Sequence, residues 1–302
     1  MAAPSSANQL RQELAARNRE FARRLQLPHV TNIRDGSAIV YAPSEDGSCH
    51  GNFLPASYSA ITRHQPWRKR LSKAHTSKRK LPQLDREILR PWCELDSCTS
   101  SDALLMNIFC FPGLLQRREV TSLLGLQHAP DSHEMSPHFG FKARVPRANQ
   151  TGDATEIDMR IGDLLVEAKL TEANFQQRDV AALERYRDFE AVFDPYALPR
   201  SKPKMKLVHD HDHGEMLIPI PGEKYECYQM IRNILAAYAL RSRLCVLIHD
   251  SRVDLREQFH AVLRAVRDAD IRTRCTLLTW QELAGVLPQR LKEFLSSKYG
   301  IV

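Results

Sequence analysis

Residues 155–170 constrain this chain more than any other stretch. Ile157, Met159 and Ile161 alternate with Glu156, Asp158 and Arg160, the period of two of a strand with one apolar face. Leu164, Val166, Ala168 and Leu170 alternate likewise with Leu165, Glu167 and Lys169. Between the two runs, Gly162-Asp163 suits a two-residue hairpin turn in which Gly supplies a positive φ. That turn sets the expected register. Ile161 pairs with Leu164, Arg160 with Leu165 and Met159 with Val166; Asp158 then falls opposite Glu167, and Glu156 opposite Lys169.

Two carboxylates facing each other across a strand pair repel by roughly 0.2–1 kcal/mol in an exposed hairpin. A cation between them turns that cost into a binding site, and oxygen ligands of this kind suit Mg²⁺ or Mn²⁺. Lys169 lies two residues from Glu167 and so shares its face. A dicarboxylate metal seat with one cation near the developing charge is the equipment of a metal-dependent phosphodiesterase. Glu156 shares the face, as a candidate to position Lys169 or join the metal's ligands. The plain alternative is a solvent-exposed hairpin with scattered charges.

Asp158 with Glu167-Ala168-Lys169 resembles the motif of the PD-(D/E)XK nuclease superfamily, the restriction-endonuclease-like fold. The resemblance spans roughly residues 100–280, in the order helix, three strands, helix, strand. The runs Ser100-Ser101-Asp102-Ala103-Leu104, Thr155-Glu156-Ile157-Asp158 and Tyr228-Gln229-Met230-Ile231-Arg232 are similar to uncharacterised bacterial restriction-type endonucleases. No proline precedes Asp158, a departure from the family pattern. The resemblance implies Mg²⁺-dependent hydrolysis of a nucleic-acid phosphodiester. Asp158 and Glu167 would hold the metal, with the Ala168 carbonyl as a further ligand, and Lys169 would orient or deprotonate the attacking water. It also implies a third carboxylate from the first core helix, for which Asp102 and Glu119 are the candidates. A helix after Lys169 would flank the site and bring Gln176 or Gln177 to the substrate backbone. Gln229 and Arg232 are further candidate site residues.

The net charge of +7 is unevenly distributed. Residues 1–90 hold 16 Lys/Arg against 7 Asp/Glu, and the rest of the chain holds 27 against 29. The basic excess therefore lies in the first third, where a polyanion would be gripped. Trp67, Arg68, Lys69, Arg70, Lys73, Lys78, Arg79 and Lys80 fall in a window free of acidic residues. The cations release counterions on meeting phosphates, and Trp67 can stack on a base. A solvated segment without a ligand is the other reading. Seven cysteines with no CxxC pair point to free thiols in a reducing cytoplasm. No apolar run approaches the length of a membrane-spanning helix, and no P-loop or dinucleotide fingerprint is present.

The remaining pattern predicts an amphipathic helix over 6–25, a short strand over 37–42, helices from Ser100 or Ser101 to about Gly113 and over 114–126, and a strand over 139–145. A long helix is expected over 171–192, an irregular stretch over 195–221, and a helix over 225–240. The irregular stretch contains His209-Asp210-His211-Asp212-His213, an alternation able to bind Zn²⁺ or Ni²⁺. Leu244 to Ile248 reads as a buried parallel strand, followed by a helix, a strand at 275–279 and terminal helices. The expected architecture is a mixed central sheet flanked by helices, α/β in class: a restriction-endonuclease-like nuclease domain over 96–302 behind a basic N-terminal region over 1–95. The expected activity is Mg²⁺-dependent endonucleolytic cleavage of DNA, most simply double-stranded, with a homodimer as the candidate assembly for symmetric cleavage. The alternatives are a catalytically silent binding member of the same fold, and a nuclease acting on RNA or repair intermediates.

Overall fold

The computed structural model describes residues 6–32, 37–74, 80–83, 86–91, 93–126, 135–201, 205–210, 214–219 and 223–302. The chain opens with helix α1 (Ser6–Arg24), the hairpin β1 (His29–Asn32) and β2 (Ala38–Tyr41), helix α2 (Pro55–Arg63), and a turn of helix α3 (Gln65–Arg68) that runs into a 3₁₀ turn, Lys69–Ser72. Strands β3 (Lys80–Gln83) and β4 (Arg86–Pro91) pair with each other, and helices α4 (Ser101–Phe109) and α5 (Arg118–Leu123) follow. Next come β5 (His138–Lys142), β6 (Glu156–Ile161), β7 (Leu164–Ala168), β8 (Gln177–Asp179), and the short helices α6 (Val180–Leu183) and α7 (Phe189–Val192). Strands β9 (Met205–Asp210), β10 (Gly214–Pro219) and β11 (Lys224–Glu226) lead to helix α8 (Tyr228–Ala239). The chain ends with β12 (Arg243–Ile248), α9 (Val253–Arg264), α10 (Ala269–Thr273), β13 (Cys275–Thr279), α11 (Trp280–Gly285) and α12 (Gln289–Tyr299).

A five-stranded sheet in the order β13-β12-β7-β6-β5 organises the molecule. Strands β7, β12 and β13 run parallel, and β6 and β5 are antiparallel additions. The sheet is therefore mixed and flanked by helices, the α/β architecture of the restriction-endonuclease-like fold. Strands β7 and β12 are buried along nearly their whole length, which is why Leu244 to Ile248 is a continuous apolar run. One core lies against Met159, Ile161, Val166, Ala168 and Leu247; the other lies against Leu165, Leu244, Val246 and Ile248 on the opposite face. The first core takes in Leu10, Leu14, Phe21, Tyr58 and Ile61 from α1 and α2 together with Leu105 of α4 and Phe294 and Leu295 of α12. Among the described residues no disulfide joins any of the cysteines, and no helix is long and apolar enough to cross a membrane.

Local signals explain most helix ends. The Ser100 side chain accepts from the Ala103 amide at the start of α4, Thr279 and Glu282 form a capping box on α11, and Gly300 at φ +70° closes α12. The first helix ends one residue short of the expected 6–25, and Leu25 just beyond it is half exposed.

Three expected elements differ. The long helix over 171–192 does not form. Gln176 takes a left-handed backbone, φ +62°, and residues 177–179 pair with β11. Phe175, Leu183, Tyr186, Phe189 and Val192 are all buried in the second core, and that packing overrides a weak helical periodicity. The helix expected over 114–126 is broken at Arg117, which is extended, into a 3₁₀ turn and α5. Within 195–221, β9 and β10 form a hairpin; His211 to His213 lie outside the described residues.

Candidate active site

Strands β6 and β7 pair as the turn demands, Ile161 with Leu164, Arg160 with Leu165 and Met159 with Val166. There the ladder ends. The strands part, and the Asp158 carboxylate accepts a hydrogen bond from the freed Ala168 amide at 2.8 Å. Asp158 thus sits at the fork between the strands, and its link to Ala168 runs through the amide. Beyond the fork β7 is held from the other side. The Lys169 amide donates to the Leu247 carbonyl at 2.8 Å, the Trp280 indole donates to the Lys169 carbonyl at 3.0 Å, and Arg252 donates to the Leu170 carbonyl at 3.0 Å.

Glu167 and Lys169 lie together, both buried. The Lys169 Nζ donates to Glu167 Oε1 at 2.7 Å and stands 5.8 Å from the centre of the Phe175 ring. Burial pulls this ammonium down, but Glu167, Glu172 and Asp158 around it outweigh burial and raise it above its ordinary range. The Asp158 carboxyl is pushed well up, first by burial and then by the neighbouring charges of Glu167 and Asp102. The surroundings of Lys169 thus favour its charged form, and those of Asp158 favour its neutral form until a cation offsets its neighbours.

Asp102, in the first turn of α4, joins this cluster. Its Oδ2 lies 2.5 Å from a guanidinium nitrogen of Arg70, whose other terminal nitrogen lies 3.1 Å from Glu156 Oε2. Burial raises the Asp102 carboxyl and Arg70 opposes it. Arg70 reaches this position by crossing the edge strand β5 at Gly140. Gly140 has a φ of +66°, which favours glycine, and a Cβ there would press on the guanidinium. Lys73 adds a second cation, 3.4 Å from Glu156 and 2.8 Å from Glu94. Glu156, expected opposite Lys169, therefore faces Arg70 and Lys73 instead, because the ladder has already ended.

Two site residues were not expected from the sequence. Asn233 of α8 donates through Nδ2 to Glu167 Oε2 at 2.8 Å, while its Oδ1 accepts from Arg232 at 2.6 Å. Glu172 accepts from the Leu170 amide at 2.6 Å and from the Ser101 hydroxyl at 2.5 Å, tying the end of β7 to the start of α4. The signal for Asn233 was the polar pair Arg232-Asn233 inside an otherwise apolar helix, where Ile231, Ile234, Leu235, Ala236 and Ala237 are all buried.

Other expected site residues lie elsewhere. Arg232 is 1% exposed and clamps the Thr155 and Glu156 carbonyls at 2.9 and 2.8 Å, so its part is to hold β6 and aim Asn233. Glu119 is exposed on α5 beside Arg117, outside the cluster. Gln176 is exposed, its carbonyl accepting from the Tyr228 amide. Gln229 lies one turn before Asn233 on α8, its amide donating to the Phe175 carbonyl at 2.9 Å, and its Oε1 is buried with no hydrogen-bond partner among the described residues.

The basic window divides. Trp67, expected to stack on bases, is partly buried: its indole donates to the Pro137 carbonyl at 2.8 Å and meets Phe139 edge-on at 6.1 Å. That packing pins α3 over β5 and delivers Arg70 inward. Arg70 is therefore a member of the carboxylate cluster, and an ion pair this enclosed leaves little of it for phosphate. Arg68 and Lys69 are exposed; Lys78 and Arg79 lie outside the described residues, and of Lys80 the backbone places only the start of β3.

Asp102, Glu156, Asp158 and Glu167 thus converge with Arg70, Lys73 and Lys169, four carboxylates to three cations, with Glu94 and Glu172 adding to the acidic excess. A buried acidic excess of hard oxygen donors fits a hard divalent cation. Asp158 and Glu167 would hold it, although among the described residues no three His, Cys, Asp or Glu side chains are grouped as a metal site.

No curated protein and no solved structure matches the chain. A family model described as restriction endonuclease associating with ARP matches residues 29–300. That span includes the forked hairpin, Asp102, Arg70 and Asn233, and the chain belongs to this restriction-endonuclease-like family.

Proposed function

We propose that the protein is a Mg²⁺- or Mn²⁺-dependent endonuclease that hydrolyses DNA phosphodiester bonds in the cytoplasm. The observation that carries this reading is the convergence of Asp158, Glu167 and Lys169 at the fork of β6 and β7, with Asp102 beside Asp158. A divalent ion held there supplies Lewis acidity to the phosphoryl oxygen. In the hydrolysis, a water oxygen bonds to phosphorus and gives up a proton to solvent as the bond to the leaving sugar oxygen breaks and that oxygen takes a proton from solvent, and negative charge grows on the phosphoryl oxygens. Lys169 offsets that charge. Glu167, Glu172 and Asp158 favour its charged form without the ion, and Lys169 would orient or deprotonate the attacking water. Asn233 and Arg232 fix the Glu167 carboxylate, and Arg70 pairs with Asp102 and opposes the effect of its burial.

The test is incubation of the purified chain with plasmid, linear duplex, single-stranded DNA and RNA, with and without Mg²⁺ or Mn²⁺. Nicking of DNA that depends on the ion is expected. Undiminished cleavage in excess chelator would remove the metal mechanism. Cleavage of RNA alone would move the substrate class, and inertness towards all four would leave a binding member of the fold.

A further inference from the structure

A cavity lies behind the turn that delivers Arg70. It has a volume of about 500 Å³, and Arg68, Lys69, Leu71 and Ser72 form one wall. Its floor is made by the edges of Tyr58 and His50, which are 5% and 6% exposed; the His50 ring stands 5.9 Å from that of Tyr58 and 5.3 Å from that of Phe53. His50 Nε2 lies 3.1 Å from Asp96 Oδ1 in a buried pair, which makes the floor rigid and gives it a polar edge. Arg68 and Lys69 are exposed at the rim and form no ion pair among the described residues.

Each part of this lining selects something. An aromatic and aliphatic wall suits the face of a planar ring. Unpaired cations at the rim suit a phosphate. A polar edge on the floor suits a ring with donors and acceptors. A simple anion would leave the aromatic floor unused, and an apolar ligand would leave the two cations unused. The volume is within the range of pockets that hold small ligands, roughly 300–1,000 Å³. The position adds a reason. One short turn sends Arg70 to Asp102 and lines the cavity with Lys69, Leu71 and Ser72, so the carboxylate cluster and the cavity lie on two sides of the same few residues.

We infer that this cavity takes one unstacked nucleotide of the substrate strand, its base against Tyr58, His50 and Leu71 and its phosphate on Arg68 and Lys69. The inference rests on the nucleic-acid reading proposed above. It makes the cavity a place where the strand is held next to the bond to be cut.

The experiment uses the full chain carrying Lys169→Ala, without divalent ion, so that binding is read apart from cleavage. Two fluorescent ligands of about 12 nucleotides are compared by anisotropy across salt: a single-stranded DNA, and a DNA backbone of the same length made of abasic residues. The parent should bind the base-bearing strand about tenfold more tightly, as one stacked base warrants. Ser72→Trp, which fills the cavity from its exposed rim, should abolish that preference. Arg68→Gln with Lys69→Gln should weaken both ligands and flatten the dependence of log affinity on log salt by about 1.4, or 0.7 for each phosphate no longer neutralised. Equal affinity of the parent for both ligands overturns the inference, as does a preference that survives Ser72→Trp. If Ser72→Trp does not fold, the surface double variant decides, and an unchanged salt slope overturns it. A base preference in a protein whose wild type cuts nothing keeps the pocket and rejects the nuclease. Ion-dependent cutting without a base preference keeps the nuclease and rejects the pocket.

Discussion

Lys169 and Lys298 are 5% and 0% exposed, and their surroundings drive them in opposite directions. Lys169 ends the hairpin among Glu167, Glu172 and Asp158, and it stays charged because their combined field exceeds the cost of burial. Lys298, near the end of α12, lies under the N-terminal third. Its Nζ stands 3.8 Å from the centre of the Tyr41 ring, 5.0 Å from Phe21 and 5.7 Å from Tyr299, and donates to Asn18 Oδ1 at 2.7 Å and the Gly51 carbonyl at 3.4 Å. No carboxylate faces it among the described residues, and burial brings its ammonium down to about 7. Burial alone therefore does not identify a functional lysine. What distinguishes Lys169 is an excess of carboxylates, which costs stability and is explicable as a site. Lys298 is a joint between α1, β2 and α12, where its amino group packs against aromatic faces and donates to the Asn18 amide oxygen and the Gly51 carbonyl.

The largest effect that could break this comparison is on activity. Lys169→Ala and Asp158→Ala should each lower ion-dependent nicking by roughly 10²–10⁴-fold, whereas Lys298→Met should leave the rate of the folded protein within a few fold. Single-turnover nicking of supercoiled plasmid measures all three. A Lys169→Ala rate near wild type would place the chemistry elsewhere.

Next in size is the pH dependence of stability. The unfolded chain keeps Lys298 protonated up to its ordinary range near 10.5, and the folded chain only up to about 7. Between those values unfolding takes up a proton, so stability rises with pH. The slope is about 1.4 kcal/mol per pH unit, amounting to roughly 4–5 kcal/mol across the window. Below pH 7 both states carry the proton and this contribution is flat. Urea melts of wild type and Lys298→Met from pH 6 to 10 should differ in slope in that direction. A matching slope in both would show that the rings and Asn18 hold the ammonium charged in the fold.

Third, Mg²⁺ should raise the melting temperature of wild type, since an ion at a hundred times its Kd adds about 2.7 kcal/mol to the native state. Glu167→Gln should respond much less, and removal of the ion should return both to their apo values. Lys298→Met should respond as wild type does. Identical shifts in Glu167→Gln and wild type would mean that the ion binds away from the fork.

The smallest effect tests how the site is held. Asn233→Ala strips Glu167 Oε2 of its donor and Arg232 of an acceptor, which costs about 1–3 kcal/mol at buried polar groups. Nicking should fall as well, with the ion requirement shifted to higher concentration, because the Glu167 carboxylate is no longer aimed. A stability loss with no change in ion requirement would make Asn233 a packing residue only.

Much of the forked hairpin was legible in the sequence, and the reason is that its information is local. Period-two alternation and Gly162-Asp163 specify two strands and their first three pairs within ten residues. The apolar run at 244–248 is local in the same sense. The segment at 171–192 fails for the complementary reason. Its helical spacing is also a local signal, but Phe175, Tyr186 and Phe189 bury against α8 and β11, and packing with residues some fifty positions away decided its path.

By itself the sequence determined that β6 and β7 form a hairpin bearing Asp158, Glu167 and Lys169, because backbone geometry and side-chain alternation act over a few residues. Only the tertiary structure decided what surrounds them. Arg70 arrives from 86 positions before Glu156 by crossing Gly140, Asp102 arrives on α4, and Asn233 arrives 66 positions after Glu167 on α8. It also turned Trp67 and Arg70 from the outward-facing members of a basic run into a packed ring and an inward ion pair. The physical reason is that charge and hydrogen-bond partners act across space, at about 3 Å, without regard to separation along the chain. A run of Lys and Arg in sequence states how much positive charge is present, and the packing of one tryptophan states where it points.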